Sequence, residues 1–100
     1  MKKSYILEGF SMSDIQTILG ERDSNMKIIE IYFHVTISLK DISLEIDGEE
    51  ANVLKANEAI EAIVDLYRIK KELIESDIRY ACSLAEASTS KELSNLYESS

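Results

Sequence analysis

The chain opens with a short apolar run, Tyr5, Ile6 and Leu7 within "KSYILE", which ends at Gly9 and reads as a strand over residues 3–8. A helical period follows. Ile15, Ile18 and Leu19 recur on one face behind Ser11, whose hydroxyl can accept from a free backbone N–H at a helix start. Asp14, three residues on, stands where the acid of a capping box belongs. Gly20 is expected to stop this helix in a left-handed conformation. Beyond it, Asp23 or Ser24 can cap a second helix, in which Met26, Ile29 and Phe33 form one stripe with Ile28 and Tyr32 beside it.

Alternation then replaces the helical period. "VTISLK" sets Val35, Ile37 and Leu39 against Thr36, Ser38 and Lys40, and "ISLEID" sets Ile42, Leu44 and Ile46 against Ser43, Glu45 and Asp47. The apolar parity switches between Leu39 and Ile42, so a hairpin turning near Lys40-Asp41 is expected, although the usual Asn-Gly is missing. Gly48 closes the second of these strands. A long helix follows from about Glu49 to Lys71, with Val53, Ala56, Ile60, Ile63, Val64 and Tyr67 on one face. Ser76 can cap a last helix, "DIRYACSLAEA", with Ile78, Cys82 and Ala85 on one side. The tail "STSKELSNLYESS" is serine-rich and reads as a frayed helix or a linker.

The order is β-α-α-β-β-α plus one helix. A strand separated from a hairpin by two helices predicts an α+β fold, a three-stranded sheet with helices on one face. The expected division is an α+β domain over 1–73, then a C-terminal helix and polar linker over 74–100.

Composition narrows the functional classes. One hundred residues, 45% of them hydrophobic, form a single domain with a real core. Nineteen acidic against eleven basic residues give a net charge of -8, which disfavours generic attraction to nucleic acid or anionic membranes. A single cysteine excludes an internal disulfide and a multi-cysteine metal site. The apolar run after Lys2-Lys3 is too short for a signal peptide, and none approaches a membrane span. A cytoplasmic chain without a membrane partner is expected.

Candidate chemistry is sparse. Cys82 and His34 are the nucleophile and base available by residue type, but a buried helical cysteine is ordinarily inert packing. No catalytic residue, metal site or cofactor is assigned to the chain. Arg68, Lys70 and Lys71 end the long helix, where cations complement the dipole, and Glu49-Glu50 suit its negative first turn.

The element order, with Gly20 between the first two helices, resembles the type I KH domain, in which a GXXG loop clamps backbone nucleotides. The corresponding residues are Gly20-Glu21-Arg22-Asp23, with Asp23 where the second glycine belongs. From Asp14 to His34 there are four acids and two bases, so local pairing of Arg22 with Glu21 or Asp23 is expected. If RNA is bound, the groove edged by Gly20, Arg22 and Lys27 is the expected place.

Three stretches, "LGERDSNMKIIE", "LEIDGEEANVLKANEAI" and "LIESDIRYACSLAE", together resemble the N-terminal region of the bacterial PhoH-like ATPases. That family's hairpin turn commonly carries Gly-Asn where this chain has Asp41-Ile42. The resemblance implies a KH-like accessory domain whose parent uses ATP and Mg²⁺ in a P-loop domain, in RNA metabolism and phosphate starvation. This chain carries no G-x-x-x-x-G-K-[ST] segment, so it is expected to stop before the ATPase and to be no enzyme itself. The implied partners are the parent's own ATPase domain and RNA or an RNA-processing protein. The alternative is a protein-interaction or oligomerisation module that uses the fold without RNA. Arg79 and Tyr80, of types that favour interfaces, are its candidate anchors.

Overall fold

The computed structural model describes the backbone of residues 1–98 and side chains through Ser88. The elements run β1 (Lys2–Ile6), α1 (Met12–Leu19), a 3₁₀ turn (Glu21–Asp23), α2 (Ser24–Phe33), β2 (Thr36–Lys40), β3 (Ser43–Asp47), α3 (Glu50–Lys70) and α4 (Glu75–Glu98). The fold is α+β. Its antiparallel sheet has the order β1-β3-β2, so the last strand in sequence lies in the middle.

Register explains the burial. Tyr5, Leu44 and Leu39 stand side by side across the sheet, as do Lys3, Ile46 and Ile37. Successive side chains point to opposite faces, so this set faces the helices, and Leu44 and Ile46 of the central strand are fully buried. The opposite face carries Ser4, Ser38 and Glu45 in one row. One wet face and one dry face is what the alternation predicts.

The dry face is covered by α2 and α3, and α4 packs against those two helices rather than against the sheet. Ile15, Ile18, Met26, Ile29, Val53, Ile60, Ile63, Val64 and Ile78 are essentially inaccessible to solvent. Burying each such side chain contributes about 1.5–3 kcal/mol. Cys82 is fully buried among them.

Local details confirm some expectations and correct others. The hairpin turns at Asp41-Ile42, and Asp41 adopts a positive φ of 57°, a conformation aspartate tolerates better than most residues. The capping box is present in full: Ser11 Oγ accepts from Asp14 N at 3.1 Å, and Ser11 N donates to Asp14 Oδ2 at 3.0 Å. The first strand ends at Ile6, before Leu7 and Glu8. Ser76 does not cap the last helix. That helix begins at Glu75, and Asp77 reaches back to the Ile74 N–H at 3.0 Å while Lys70 Nζ pairs with it at 2.9 Å. An acid in the first turn competes well because it accepts a free N–H and suits the helix dipole. The expected frayed tail or linker falls largely outside the residues whose side chains are described.

Candidate functional site

Between α1 and α2 the chain passes through three residues in rare backbone conformations. Gly20 has φ 85° and ψ 164°. That is not the left-handed helical ending expected, but a region that essentially glycine alone occupies. A Cβ here would lie 2.7 Å from Ser24 Oγ, 2.8 Å from Asn25 Cγ and 2.9 Å from Asn25 N. Arg22 (φ 54°, ψ 35°) and Asp23 (φ 60°, ψ 26°) both follow in left-handed helical geometry. Such conformations cost energy at non-glycine residues and persist where surrounding structure holds them.

Asn25 does much of the holding. It is buried, and its Nδ2 donates to the carbonyls of Ile18 at 3.2 Å and Thr17 at 3.4 Å. Those are among the carbonyls that the end of α1 leaves unpaired. Sequence reasoning missed Asn25. The available signal was a polar residue four before Ile29, on the buried stripe of α2.

The junction walls a cleft against β2. Two adjoining hollows of about 370 and 320 Å³ share Leu19, Asp23 and Leu39. Met12, Ile15 and Leu19 of α1 and Met26 of α2 give it an apolar floor, Ile37 and Leu39 form the β2 side, and Glu21, Arg22 and Asp23 rim it. On the β2 side, the Ile37 N–H is already taken by Glu30 Oε2 at 2.8 Å.

Of the residues singled out from sequence, Gly20 and Arg22 line this cleft. Lys27 is exposed on α2 and is not among the lining residues. Arg22 does not pair with Glu21 or Asp23. The two ion pairs of the described residues are Lys70–Asp77 and Arg79–Glu75. Arg22, in left-handed geometry between the two acids, is in neither pair. Asp23 precedes α2 but makes no side-chain cap bond, so the capping role expected of it is also corrected.

The backbone donors of the junction are largely spent. Asp23 N donates to Gly20 O at 3.0 Å, and Ser24 N donates to Glu21 O. A phosphate at the start of α2 would have to displace these bonds. Arg79 and Tyr80 lie on α4; Arg79 Nε pairs with Glu75 at 3.2 Å and Tyr80 is 63% exposed.

A polar chain of contacts fixes α1 from behind. Tyr67 O–H donates to Asp14 Oδ1 at 2.6 Å, Phe10 meets the Tyr67 ring edge-on, and Arg68 stacks 4.5 Å over Phe10. The Tyr67 hydroxyl and the Ser11 N–H hold the Asp14 carboxyl below the usual carboxylate range, and the same carboxylate pushes Tyr67 up. Burial pushes the Cys82 thiol up to about 11. His34 is exposed at the end of α2 and forms no hydrogen bond with Cys82, so the two do not make a nucleophile–base pair. Among the described residues no group of three or more His, Cys, Asp or Glu is arranged to hold a metal. Among them no helix is long and apolar enough to cross a membrane.

No family model and no curated protein matches the chain. Among solved structures it is similar to a protein of unknown function, APE0754 from Aeropyrum pernix, with a TM-score of 0.65 and 16% sequence identity. The likeness covers 100% of this chain and 54% of that one, so the chain spans about half the length of its structural neighbour. The likeness is one of fold.

Proposed function

We propose that the chain is a KH-like, non-catalytic accessory domain of a PhoH-like ATPase, and that it positions single-stranded RNA for an ATPase domain outside this sequence. The observation that carries the reading is the cleft between Gly20–Asp23 and β2. Its floor is apolar, and the unpaired guanidinium of Arg22 stands at its rim. Bases stack or pack on apolar floors, while a cation meets the backbone. The β-α-α-β-β-α order and the three quoted stretches support the family assignment. ATP and Mg²⁺ belong, on this reading, to the parent's P-loop domain. A cytoplasmic setting follows from that parentage.

Titration of the protein with labelled single-stranded RNA at low salt tests the site. Binding is expected, with Arg22→Glu abolishing it and Asp23→Gly strengthening it by removing a carboxylate from the rim. Absence of binding, or indifference to Arg22→Glu, would overturn the RNA reading.

A second reading has its own support: a protein-interaction module that keeps the fold without RNA. The N–H groups of Asp23 and Ser24 are already bonded, Glu21 and Asp23 flank Arg22, and the net charge is -8. Under it, Arg79 and Tyr80 on α4 contact the ATPase domain. Co-purification with a separately produced PhoH-like ATPase domain, lost on Tyr80→Ala, is the expected result. A strict monomer indifferent to that domain would remove this reading.

A further inference from the structure

The two outer edges of the sheet differ. At β2 the edge is partly closed, since the outward N–H of Ile37 is taken by Glu30 Oε2 at 2.8 Å. At β1 it is open. Met1 and Gly48 exchange hydrogen bonds at 2.7 and 3.1 Å, and Leu7 N donates to Ile42 O at 2.7 Å. Antiparallel pairs alternate between bonded and unbonded, so in this register Lys3 and Tyr5 also bond inward, to Ile46 and Leu44. Lys2, Ser4 and Ile6 therefore turn their N–H and C=O groups outward, and no described residue bonds them.

We infer that a second copy of this chain docks on this edge, β1 against β1, about a two-fold axis at Ser4. Antiparallel pairing there sets Ser4 opposite Ser4, Lys2 opposite Ile6 and Lys3 opposite Tyr5. Each copy then satisfies the outward groups of the other with the same patch. Charge selects this partner over other strands. Lys3 lies on the helix-covered face and is in no ion pair of the described residues. An inward-facing lysine on an edge ordinarily deters strand addition. A second copy answers it, because Tyr5 is where α3 brings its carboxylates: burial, and then Glu61 and Asp65, push the Tyr5 hydroxyl up. Lys3 of each copy thus arrives beside Glu61 and Asp65 of the other, and symmetry makes the contact twice. On the opposite face Ile6, 59% exposed, packs along the methylene stem of Lys2 of the second copy. Two three-stranded sheets become one, with β2 and its cleft at each outer end. The inference therefore goes beyond RNA binding and does not depend on it.

The test is sedimentation equilibrium over a concentration series, with amide hydrogen exchange on the same samples. Salt of about 0.15 M screens the repulsion between two copies of net charge -8 beyond about 8 Å. A concentration-dependent species of twice 11.3 kDa is expected, with protection of the Ser4 and Ile6 amides rising as it forms. Ser4→Pro should abolish the dimer and leave the monomer folded, because it removes an edge N–H that the monomer does not use. Lys3→Glu should weaken dimerisation on the order of tenfold, and Glu61→Lys in the same chain should restore it. A monomer at every concentration overturns the proposal. So does a dimer that survives Ser4→Pro, or one in which the Ser4 and Ile6 amides exchange freely, since either places the interface elsewhere. RNA binding is read separately, at the other edge of the sheet, through Arg22→Glu.

Discussion

Ser11 and Asp23 both stand immediately before a helix, and both are residue types that cap helix starts, yet the structure uses them in opposite ways. Ser11 exchanges two hydrogen bonds with Asp14, and Asp14 is held again by Tyr67. Asp23 makes no cap bond, takes a left-handed backbone and lines a cleft. The first start is built for stability. The second retains strain beside the cleft against β2, and strained residues tend to cluster at functional sites. The same local pattern therefore has two fates: an extended backbone at Ser11 lets its side chain cap, and a left-handed one at Asp23 goes with no cap bond.

The largest break in this comparison should come from Gly20→Ala. The new methyl group would meet Asn25 at 2.8–2.9 Å in a backbone conformation closed to alanine. A loss of about 3 kcal/mol is expected from strain and displaced packing, measured by urea unfolding. If stability is unchanged, the junction does not need glycine and its strained geometry is wrong.

Smaller effects should separate the two helix starts directly. Ser11→Ala removes a working cap and should cost about 1 kcal/mol. Asp23→Ala removes no bond and should stay within about 0.5 kcal/mol. Equal losses in thermal unfolding would mean that Asp23 caps α2 after all. Asp23→Gly should stabilise slightly, because glycine takes the left-handed backbone without steric cost, partly offset by greater freedom of the unfolded chain.

The finest distinction is in pH. Asp14 has its folded pKa lowered by the Tyr67 hydroxyl and the Ser11 N–H. Its contribution is therefore complete above the unfolded carboxylate value, near pH 4, and is lost as pH falls through the lower folded value. Tyr67, raised by the same contact, contributes below the ordinary tyrosine range and loses that contribution as pH rises through its folded value. Asp14→Asn should flatten the acid limb of a stability–pH profile. An acid limb untouched by Asp14→Asn would remove Tyr67 and Ser11 as the cause.

The fold was more legible than the site. Each buried position expected on α3 is buried, and the parity switch between Leu39 and Ile42 located the hairpin although its turn residues are unusual. Gly20 and Arg22 could be picked out as neighbours of a junction. Lys27 was grouped with them by sequence distance, and the turn of α2 carries it off the cleft lining. Asn25 stayed hidden because its task, closing the end of α1, exists only once the two helices meet.

Sequence alone determined the elements, the dry and wet faces of the strands and the Ser11–Asp14 box, because each depends on residues within one or two turns of each other. Tertiary structure decided that β3 lies between β1 and β2, that Tyr67 reaches Asp14, that Arg22 is in no ion pair among the described residues and that Asn25 closes the end of α1. Those outcomes depend on which groups are brought together across the fold, and on backbone torsions at the junction that local propensity does not set.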